Sequence, residues 1–230
     1  MSDAPVPEHF SEWNEQMVAR YDPDVFHHHP LSIVRWVENG RVRAVIRLLG
    51  AQPEHRVLDV GCGAGNILGQ LRARELHGLE LSPFMLKRAQ GRLGQRAKIV
   101  LGDAERMPYA PASFDRVVAS SLLSHVLHPA KVISELKRVT KPGGRIVISI
   151  SDEPQIEKGI RWMKALYLDR LFVGPQGDGQ AAIYNVEYHL QRLSRPRLRE
   201  VVGDQLAEVS MLGVPTVFFP VHWVAVYNRD

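Results

Sequence analysis

Hydrophobic positions along the chain alternate between short continuous runs and longer stretches with helical spacing. Short apolar runs bounded by turn residues, such as "HRVLDVG" and "RIVISIS", are typical of strands that are buried on both faces of a sheet. Segments such as "SPFMLKRAQGRLG" and "AKVISELKRVT" lie between the runs and have the period of a helix. This alternation predicts an α/β fold with a doubly wound, mostly parallel sheet and right-handed crossovers.

Several helix boundaries follow from the pattern. Ser82 is a predicted N-cap and Gly94 ends the same helix, while Ser194 is a second predicted cap. Residues 30–50 are predicted to be helical, either as one helix or as two helices that divide at Gly40. "NILGQLRAR" is also predicted to be a helix, and "AEVSMLGV" and "TVFFPVHWVAVYN" to be two closing strands. The polar N-terminal 29 residues predict a loosely structured arm.

Composition narrows the class of protein. The chain has 230 residues, 45% hydrophobic and 23% charged, which suits one globular domain. A single cysteine allows no internal disulfide and favours a reducing, cytoplasmic location. No apolar run approaches the roughly 20 residues that span a bilayer, and the N-terminus lacks a signal-peptide pattern, so no stable membrane insertion is expected. A net charge of +4 without a long basic tract argues against nucleic acid as a partner, and nothing in the sequence sets an oligomeric state.

The stretch "VLDVGCGAGNIL" places Gly61, Gly63 and Gly65 where the first strand ends. Glycine allows backbone dihedrals that a side chain forbids and lets backbone amides approach a ligand. A tight turn that binds nothing would have the same pattern. In doubly wound sheets, however, ligands bind at this edge, beyond the carboxyl ends of the strands.

The spacing of the glycines discriminates between ligands. Dinucleotide-binding loops follow G-x-G-x-x-G, whereas the third glycine here comes one residue early, which disfavours a nicotinamide-dependent oxidoreductase. Glu80 ends the second predicted strand, 19 positions after Gly61. A carboxylate at this position can accept hydrogen bonds from two ribose hydroxyls. The pattern therefore indicates a ligand that contains adenosine and does not require a pyrophosphate.

Two later motifs complete a family pattern. With "LGDAERMPYAPASFDRVVASSLLSHVLHP" and "RVTKPGGRIVIS" in order, the segment from Val57 to Ile150 resembles the class I S-adenosylmethionine-dependent methyltransferases. The resemblance implies S-adenosyl-L-methionine as cofactor and an antiparallel last strand. It implies these cofactor-binding residues: Asp59, Gly61, Gly63 and Gly65 for the methionine part, Glu80 for the ribose, Asp103 and Ala104 for the adenine, Leu81, Met85 and Met107 as apolar walls, and Ser120 beside the sulfonium. Each also has an ordinary structural reading, as a turn former, strand end or core residue, but their joint position at successive strand ends favours a site.

Methyl transfer from a sulfonium is an in-line displacement, so catalysis can consist mostly of positioning. "SSLLSHVLHP" lies where this family places residues near the methyl group, and His125 is the candidate general base. The alternative is a histidine that packs under the loop and bonds to the backbone.

The acceptor side is predicted from aromatic residues and histidines. Tyr21, His28, His29, Trp162 and Tyr184 are expected in the acceptor pocket, with residues 1–29 and 174–189 as flaps that close over it. A solvated turn at the histidine triplet is the alternative. Consecutive side chains do not converge on one ion, and no metal-binding motif is present, so no metal is expected.

The resemblance implies one domain in three parts. Residues 1–50 form an N-terminal arm and helices covering the active site, 51–151 the cofactor-binding core, and 152–230 the substrate-side helices, lid loop and closing strands. The implied enzyme is a methyltransferase, and the aromatic and aliphatic content of residues 9–36 and 160–190 favours a small, partly apolar acceptor, either a specialised metabolite or a lipid-linked molecule. A non-catalytic S-adenosylmethionine-binding subunit would share every motif. The arginines between 192 and 199 form either a solvated helix face or a contact for phosphate or anionic lipid.

Overall fold

A computed structural model describes residues 9–20, 24, 27–29, 32–165, 189–216 and 220–230. Its centre is one seven-stranded sheet with the order β3-β2-β1-β4-β5-β7-β6. The strands are β1 (Arg56–Val60), β2 (Glu75–Glu80), β3 (Lys98–Leu101), β4 (Phe114–Ser120), β5 (Thr140–Ser151), β6 (Ala207–Val214) and β7 (His222–Asn228). The predicted doubly wound sheet is confirmed.

The first five strands run parallel, and β7 lies between β5 and β6 and is antiparallel to both. The implied antiparallel closing strand is therefore confirmed. The strand order reverses between β1 and β4, because the chain adds β2 and β3 on one side of β1 before it returns to the other. A crevice forms at such a reversal, beyond the carboxyl ends of the strands.

Six helices are described: α1 (Phe10–Arg20), α2 (Ser32–Leu49), α3 (Pro83–Leu93), α4 (Pro129–Val139), α5 (Glu153–Ala165) and α6 (Arg195–Val202). The capping predictions are confirmed, since the Ser82 hydroxyl accepts from the Met85 amide at 3.2 Å and the Ser194 hydroxyl from the Arg197 amide at 3.4 Å. Gly94 leaves α3 with φ of 53°.

Alternate residues of the strands face two separate cores. Val57 packs with Val45 and Leu49 of α2 on one side of the sheet. Its neighbour Leu58 packs with Leu136 of α4 on the other. Both strand residues have 0% exposure, as expected for a sheet that is covered by helices on both faces.

Two local predictions are wrong, and one open alternative is decided. The N-terminal arm contains a helix, α1, whose Val18 is buried against Met85 and Ala64. Helix α2 continues through Gly40, because a helix tolerates an isolated glycine when its flanks are held by packing. "NILGQLRAR" forms turns and one 3₁₀ turn at Leu68–Gln70 instead of an α-helix.

Candidate functional site

A cavity of about 200 Å³ opens at the carboxyl ends of β1, β2 and β4. Nine of the residues predicted to bind a cofactor line it: Asp59, Gly61, Gly63, Glu80, Leu81, Met85, Asp103, Ala104 and Ser120. The topology explains this grouping, since parallel strands end at one edge of the sheet and the strand order reverses there.

The glycine loop has two distinct roles. Gly63 has a φ of +52°, and an added Cβ would meet only the Met85 side chain, at 3.7 Å, so the loop backbone faces the cavity directly. Gly65 does not line the cavity. A Cβ at Gly65 would lie 2.7 Å from a Leu93 methyl group, so this glycine allows the loop to pack closely against α3.

The Glu80 carboxylate accepts hydrogen bonds from the backbone of the glycine loop and of the segment after β2. One carboxylate oxygen accepts from the Gly63 amide at 2.8 Å and the other from the Ser82 amide at 2.9 Å. Burial raises the pKa of Glu80, although the amides of Ser82 and Gly63 oppose the shift. A carboxylate offers about four lone-pair sites, so these two bonds leave capacity for ribose hydroxyls.

Asp59 lines the same cavity and has one carboxyl oxygen without a hydrogen-bond partner among the described residues. The residue is 1% exposed, and this oxygen is Oδ1. Burial, with a further contribution from the charge of Glu80, raises the pKa of Asp59 to about 8. A buried acceptor without a partner is costly, and a cationic group in the cavity would satisfy it.

Asp103 and Ala104, which are predicted to face the adenine, also line the cavity. Asp103 follows β3, and its Oδ1 accepts from the Glu105 amide at 2.8 Å, so one of its two carboxylate oxygens is used to form a turn. Met85 is 2% exposed at the cavity wall. Met107 packs instead within the core cluster on the α4 side of the sheet.

A polar network that the sequence reasoning missed closes the far side of the cavity. Arg41 of α2 is 8% exposed, and its guanidinium donates to the hydroxyls of Ser120 and Ser149, the latter at 3.2 Å. The same guanidinium donates through Nε to Glu38 Oε2 at 3.1 Å and through a second nitrogen to Glu38 Oε1. An opposite-charge pair at i, i+3 within an otherwise apolar stripe was the available signal.

One residue of the cavity wall has a strained backbone conformation. Ser121 has a φ of 54° although it is not glycine, and it lines the cavity directly after Ser120. Non-glycine residues in this conformation cluster at functional sites, where the surrounding structure holds them.

The predicted acceptor residues are only partly brought together. Of the histidine triplet, His27 lines the cavity, whereas His28 is exposed and the His29 carbonyl accepts from Arg35. Trp162 is 65% exposed and does not line the cavity. Tyr21, Tyr184 and the flap 174–188 lie outside the described residues.

His125 lines the cavity at the end of a 3₁₀ turn that follows β4. Its ring meets the ring of His189 edge-on, with centroids 4.7 Å apart. His189 Nδ1 lies 3.0 Å from Glu153 Oε1, and Glu153 is 1% exposed. The contact connects the cavity to the segment before α6.

The N-terminal segment is fastened to the elements that form the cavity. Glu15 of α1 accepts from the Ser82 hydroxyl and from the Phe84 amide, the latter at 3.2 Å. Asp24 is 6% exposed and accepts from Asn66 at 2.7 Å and from Arg92 at 3.0 Å. Burial opposes ionisation of Asp24, but the Asn66 bond and the Arg92 charge lower its pKa overall.

The basic run near α6 is paired locally. Arg192 lies 2.6 Å from Glu157, Arg197 2.7 Å from Glu200 and Arg199 2.6 Å from Glu208. The Arg195 guanidinium stacks over Trp223 at 5.0 Å from the ring centroid. These contacts favour the reading as a solvated helix face.

Within the described part of the chain, no three His, Cys, Asp or Glu side chains come together in a way that would hold a metal ion. None of the helices that the structure describes combines the length and apolar character needed to cross a membrane.

Residues 58–148 match the family model described as "Methyltransferase domain". Demethylmenaquinone methyltransferase of Renibacterium salmoninarum is 37% identical over 118 residues, 49% of this chain and 48% of that protein. The chloroplastic tocopherol O-methyltransferase of Arabidopsis thaliana is 33% identical over 149 residues, 56% of this chain and 41% of that protein. The chain thus matches about half the length of these curated relatives.

One solved structure matches nearly end to end. Geranyl diphosphate C-methyltransferase of Streptomyces coelicolor, in complex with Mg²⁺, geranyl diphosphate and S-adenosyl-L-homocysteine, has a TM-score of 0.66 at 12% identity, covering 99% of this chain and 100% of that one. At this identity the likeness shows a shared fold. Together, the matches confirm the resemblance to class I S-adenosylmethionine-dependent methyltransferases and the Rossmann-like fold that it implied.

Proposed function

We propose that this chain, whose residues 58–148 match a methyltransferase domain, binds S-adenosylmethionine and transfers its methyl group to a small, partly apolar acceptor. The observation that carries the proposal is the buried Oδ1 of Asp59, which has no hydrogen-bond partner among the described residues and belongs to a side chain that shares one cavity with the glycine loop and Glu80. S-adenosylmethionine combines an ammonium group, a ribose and an adenine, and this cavity offers an acceptor suited to each.

The cofactor fits the residues that are present. Asp59 would hold the ammonium group, since its buried oxygen lacks a partner within the described structure. Glu80 would accept the ribose hydroxyls, and Asp103 with the Ala104 amide would face the adenine. Ser120 would lie beside the sulfonium, and Leu81 and Met85 would form apolar walls. When bound, S-adenosylmethionine supplies a methyl group on a sulfonium, which is an activated leaving group.

The three parts of the chain then have different roles. Residues 51–151 bind the cofactor, residues 1–50 cover it through α1 and α2, and residues 152–230 complete the acceptor side. The described N-terminal contacts support this division, because Glu15 and Asp24 join the covering segment to α3 and the glycine loop. Exclusion of water would protect the sulfonium and desolvate the nucleophile.

A partly apolar acceptor suits the lining of the cavity. Phe10, Val18 and Leu122 contribute apolar surface, whereas Arg41 and Glu38 contribute a polar end. The similar proteins named above also favour such an acceptor, since demethylmenaquinone, tocopherol and geranyl diphosphate all combine a long hydrocarbon part with a polar part. His125 remains a prediction as the general base, and the structure adds His27 as a second histidine at the cavity.

Calorimetry followed by a turnover assay tests the proposal. We expect the purified chain to bind S-adenosylmethionine and S-adenosylhomocysteine and to ignore nicotinamide dinucleotides. Transfer of a labelled methyl group is then measured against a panel of phenols, amines, thiols and carbon acids, each with and without a prenyl chain. Binding of the nicotinamide dinucleotide alone would overturn the proposal. Cofactor binding without transfer to any acceptor would identify a non-catalytic subunit.

A further inference from the structure

Two ionisable side chains of α2 and one histidine before it form a connected cluster at the cavity. Arg41 reaches the Ser120 hydroxyl at the end of β4 and both oxygens of Glu38. Glu38 Oε1 in turn lies 3.4 Å from His27 Nε2. Consecutive contacts thus lead from the predicted sulfonium end of the cavity to His27.

Glu38 is ionised in this cluster. Burial opposes its charge, but the Arg41 charge and hydrogen bonds lower the pKa of Glu38 to about 2. A buried ion pair contributes little net stability after its desolvation cost, so stability alone does not account for one in the cavity wall. An ionised carboxylate beside an imidazole has a chemical consequence instead.

The Glu38 carboxylate favours one tautomer of His27. An ionised carboxylate only accepts hydrogen bonds, so its position 3.4 Å from Nε2 favours the hydrogen on Nε2 and the lone pair on Nδ1. Carboxylates hold histidine in this way in hydrolytic triads, where they fix the tautomer and stabilise the imidazolium that forms. His27 also lines the cavity, and its side chain is 16% exposed.

The charges around His27 keep the ring ready to accept a proton. Burial lowers its pKa, Arg41 and His28 act in the same direction, and Glu38 and Asp24 oppose them. The net shift is downward, so the ring is neutral at pH 7. His222 is a neighbour of Glu38, and burial with the Arg41 charge lowers the pKa of His222 to about 4, so it adds no positive charge there.

We propose that His27 is the general base of the methyl transfer, that Glu38 is its positioning residue, and that the acceptor atom is a hydroxyl oxygen. This inference rests on the proposed function. As the new oxygen–methyl bond forms, the carbon–sulfur bond breaks with its electron pair leaving on sulfur. The hydroxyl proton goes to His27 Nδ1. A neutral hydroxyl is a weak nucleophile and gains from such a base, whereas an amine attacks with its own lone pair.

Nuclear magnetic resonance of the full chain tests the dyad without turnover. With ¹⁵N-labelled histidine and bound S-adenosylhomocysteine, and with His27 assigned by its loss in His27→Gln, we expect a neutral ring with hydrogen on Nε2 and a pKa below 6.5. Glu38→Gln should lower that pKa further, because the negative charge that raises it is gone. Hydrogen on Nδ1, or a His27 pKa that does not respond to Glu38→Gln, would overturn the proposal.

Turnover with the hydroxyl-bearing members of the acceptor panel tests the role. His27→Gln should lower kcat about 10²–10⁴-fold, the usual contribution of a general base, while the Kd for S-adenosylhomocysteine stays within about twofold. Glu38→Gln should lower kcat with little change in KM, and Glu38→Asp should restore part of it. In the wild type, kcat should fall as the pH falls through the His27 pKa, and this limb should be absent from His27→Gln.

Matched histidine variants separate the outcomes. His55→Gln changes a histidine just before β1, at the opposite edge of the sheet, and should leave kcat unchanged. If His27→Gln keeps wild-type kcat while His125→Gln loses it, His125 is the base and this proposal is wrong. Methyl transfer only to amines, thiols or carbon acids would also overturn it, while leaving the proposed methyltransferase function intact. Absence of cofactor binding would overturn both.

Discussion

Asp24 of the N-terminal segment accepts a hydrogen bond from the Asn66 side-chain amide at 2.7 Å, directly after the glycine loop. The Asp24 carboxylate also pairs with Arg92 of α3 at 3.0 Å. One buried carboxylate therefore joins the covering segment to two elements of the cofactor cavity. We therefore expect the order of that segment and the order of the loop to be coupled.

Asp24→Ala tests this coupling. We expect faster hydrogen exchange in α1 and roughly a tenfold loss of S-adenosylhomocysteine affinity, since charge-assisted hydrogen bonds contribute about 1.5–3 kcal/mol. Exchange mass spectrometry and calorimetry measure the two effects. Asp204→Ala, on an exposed turn after α6, is the control and should change neither. Unchanged exchange in α1 would show that the segment is held by other contacts.

Glu80→Ala should weaken cofactor binding about tenfold to a hundredfold, because two ribose hydroxyls lose a charged acceptor. The structure adds a second expectation. The variant also leaves the amides of Gly63 and Ser82 without their acceptor, so the free energy of unfolding should fall by about 1–3 kcal/mol. Calorimetry and urea denaturation measure the two quantities. Glu75→Ala, at the other end of β2, is the control for binding, and an equal loss of affinity there would remove Glu80 from the site.

Much of the fold follows from local signals, and the parts that were missed do not. Ser82 could be identified as a cap because the residue type and the following proline act within one turn. The pairing of Arg41 with Glu38 at i, i+3 is a local signal, but its other partners, Ser120 and Ser149, are 79 and 108 positions away, so the local pattern does not place Arg41 at the cavity. Continuity of α2 through Gly40 likewise depends on packing that the helix period does not reveal.

Asp59→Asn should remove a pH dependence of stability. The folded-state pKa of Asp59 is raised to about 8 from its ordinary value of 3.8, so between these values the folded protein holds a proton that the unfolded chain releases. This contribution to stability is therefore full at acidic pH and is lost as the pH rises toward 8. Guanidinium denaturation at pH 5 and pH 8 should show the wild type losing more stability than the variant over that interval. Equal losses would place the Asp59 pKa near its ordinary value.

The same carboxylate predicts proton release on cofactor binding. An ammonium group beside Asp59 favours the ionised form, so the affinity for S-adenosylhomocysteine should rise with pH and binding should release protons. Calorimetry in buffers of different ionisation enthalpy measures the number released. Asp59→Asn should bind more weakly and release fewer protons. Proton uptake by the wild type would contradict the assignment.

Gly63→Val should abolish cofactor binding. The residue has a φ of +52°, which a β-branched side chain adopts only with strain, and the added atoms would occupy the face of the loop turned toward the cavity. Gly91→Ala is the matched control, because a Cβ there meets nothing within 4 Å and the residue lies inside α3. The control should bind normally and gain up to about 1 kcal/mol of stability. Normal binding by Gly63→Val would leave the loop as a turn only.

Because α2 is one continuous helix, its packing in the core fixes the side of the helix on which Glu38 and Arg41 lie. Val45 and Leu49 lock the C-terminal half of the helix into the core, and Glu38 and Arg41 lie on the same rigid rod. Each residue turns an α-helix by about 100°, so one inserted residue between Arg41 and Val45 would rotate both charged side chains out of the cavity while the core stayed packed. A single-residue insertion or deletion in that short span would therefore leave a folded protein whose cavity lacks the Glu38 and Arg41 side chains.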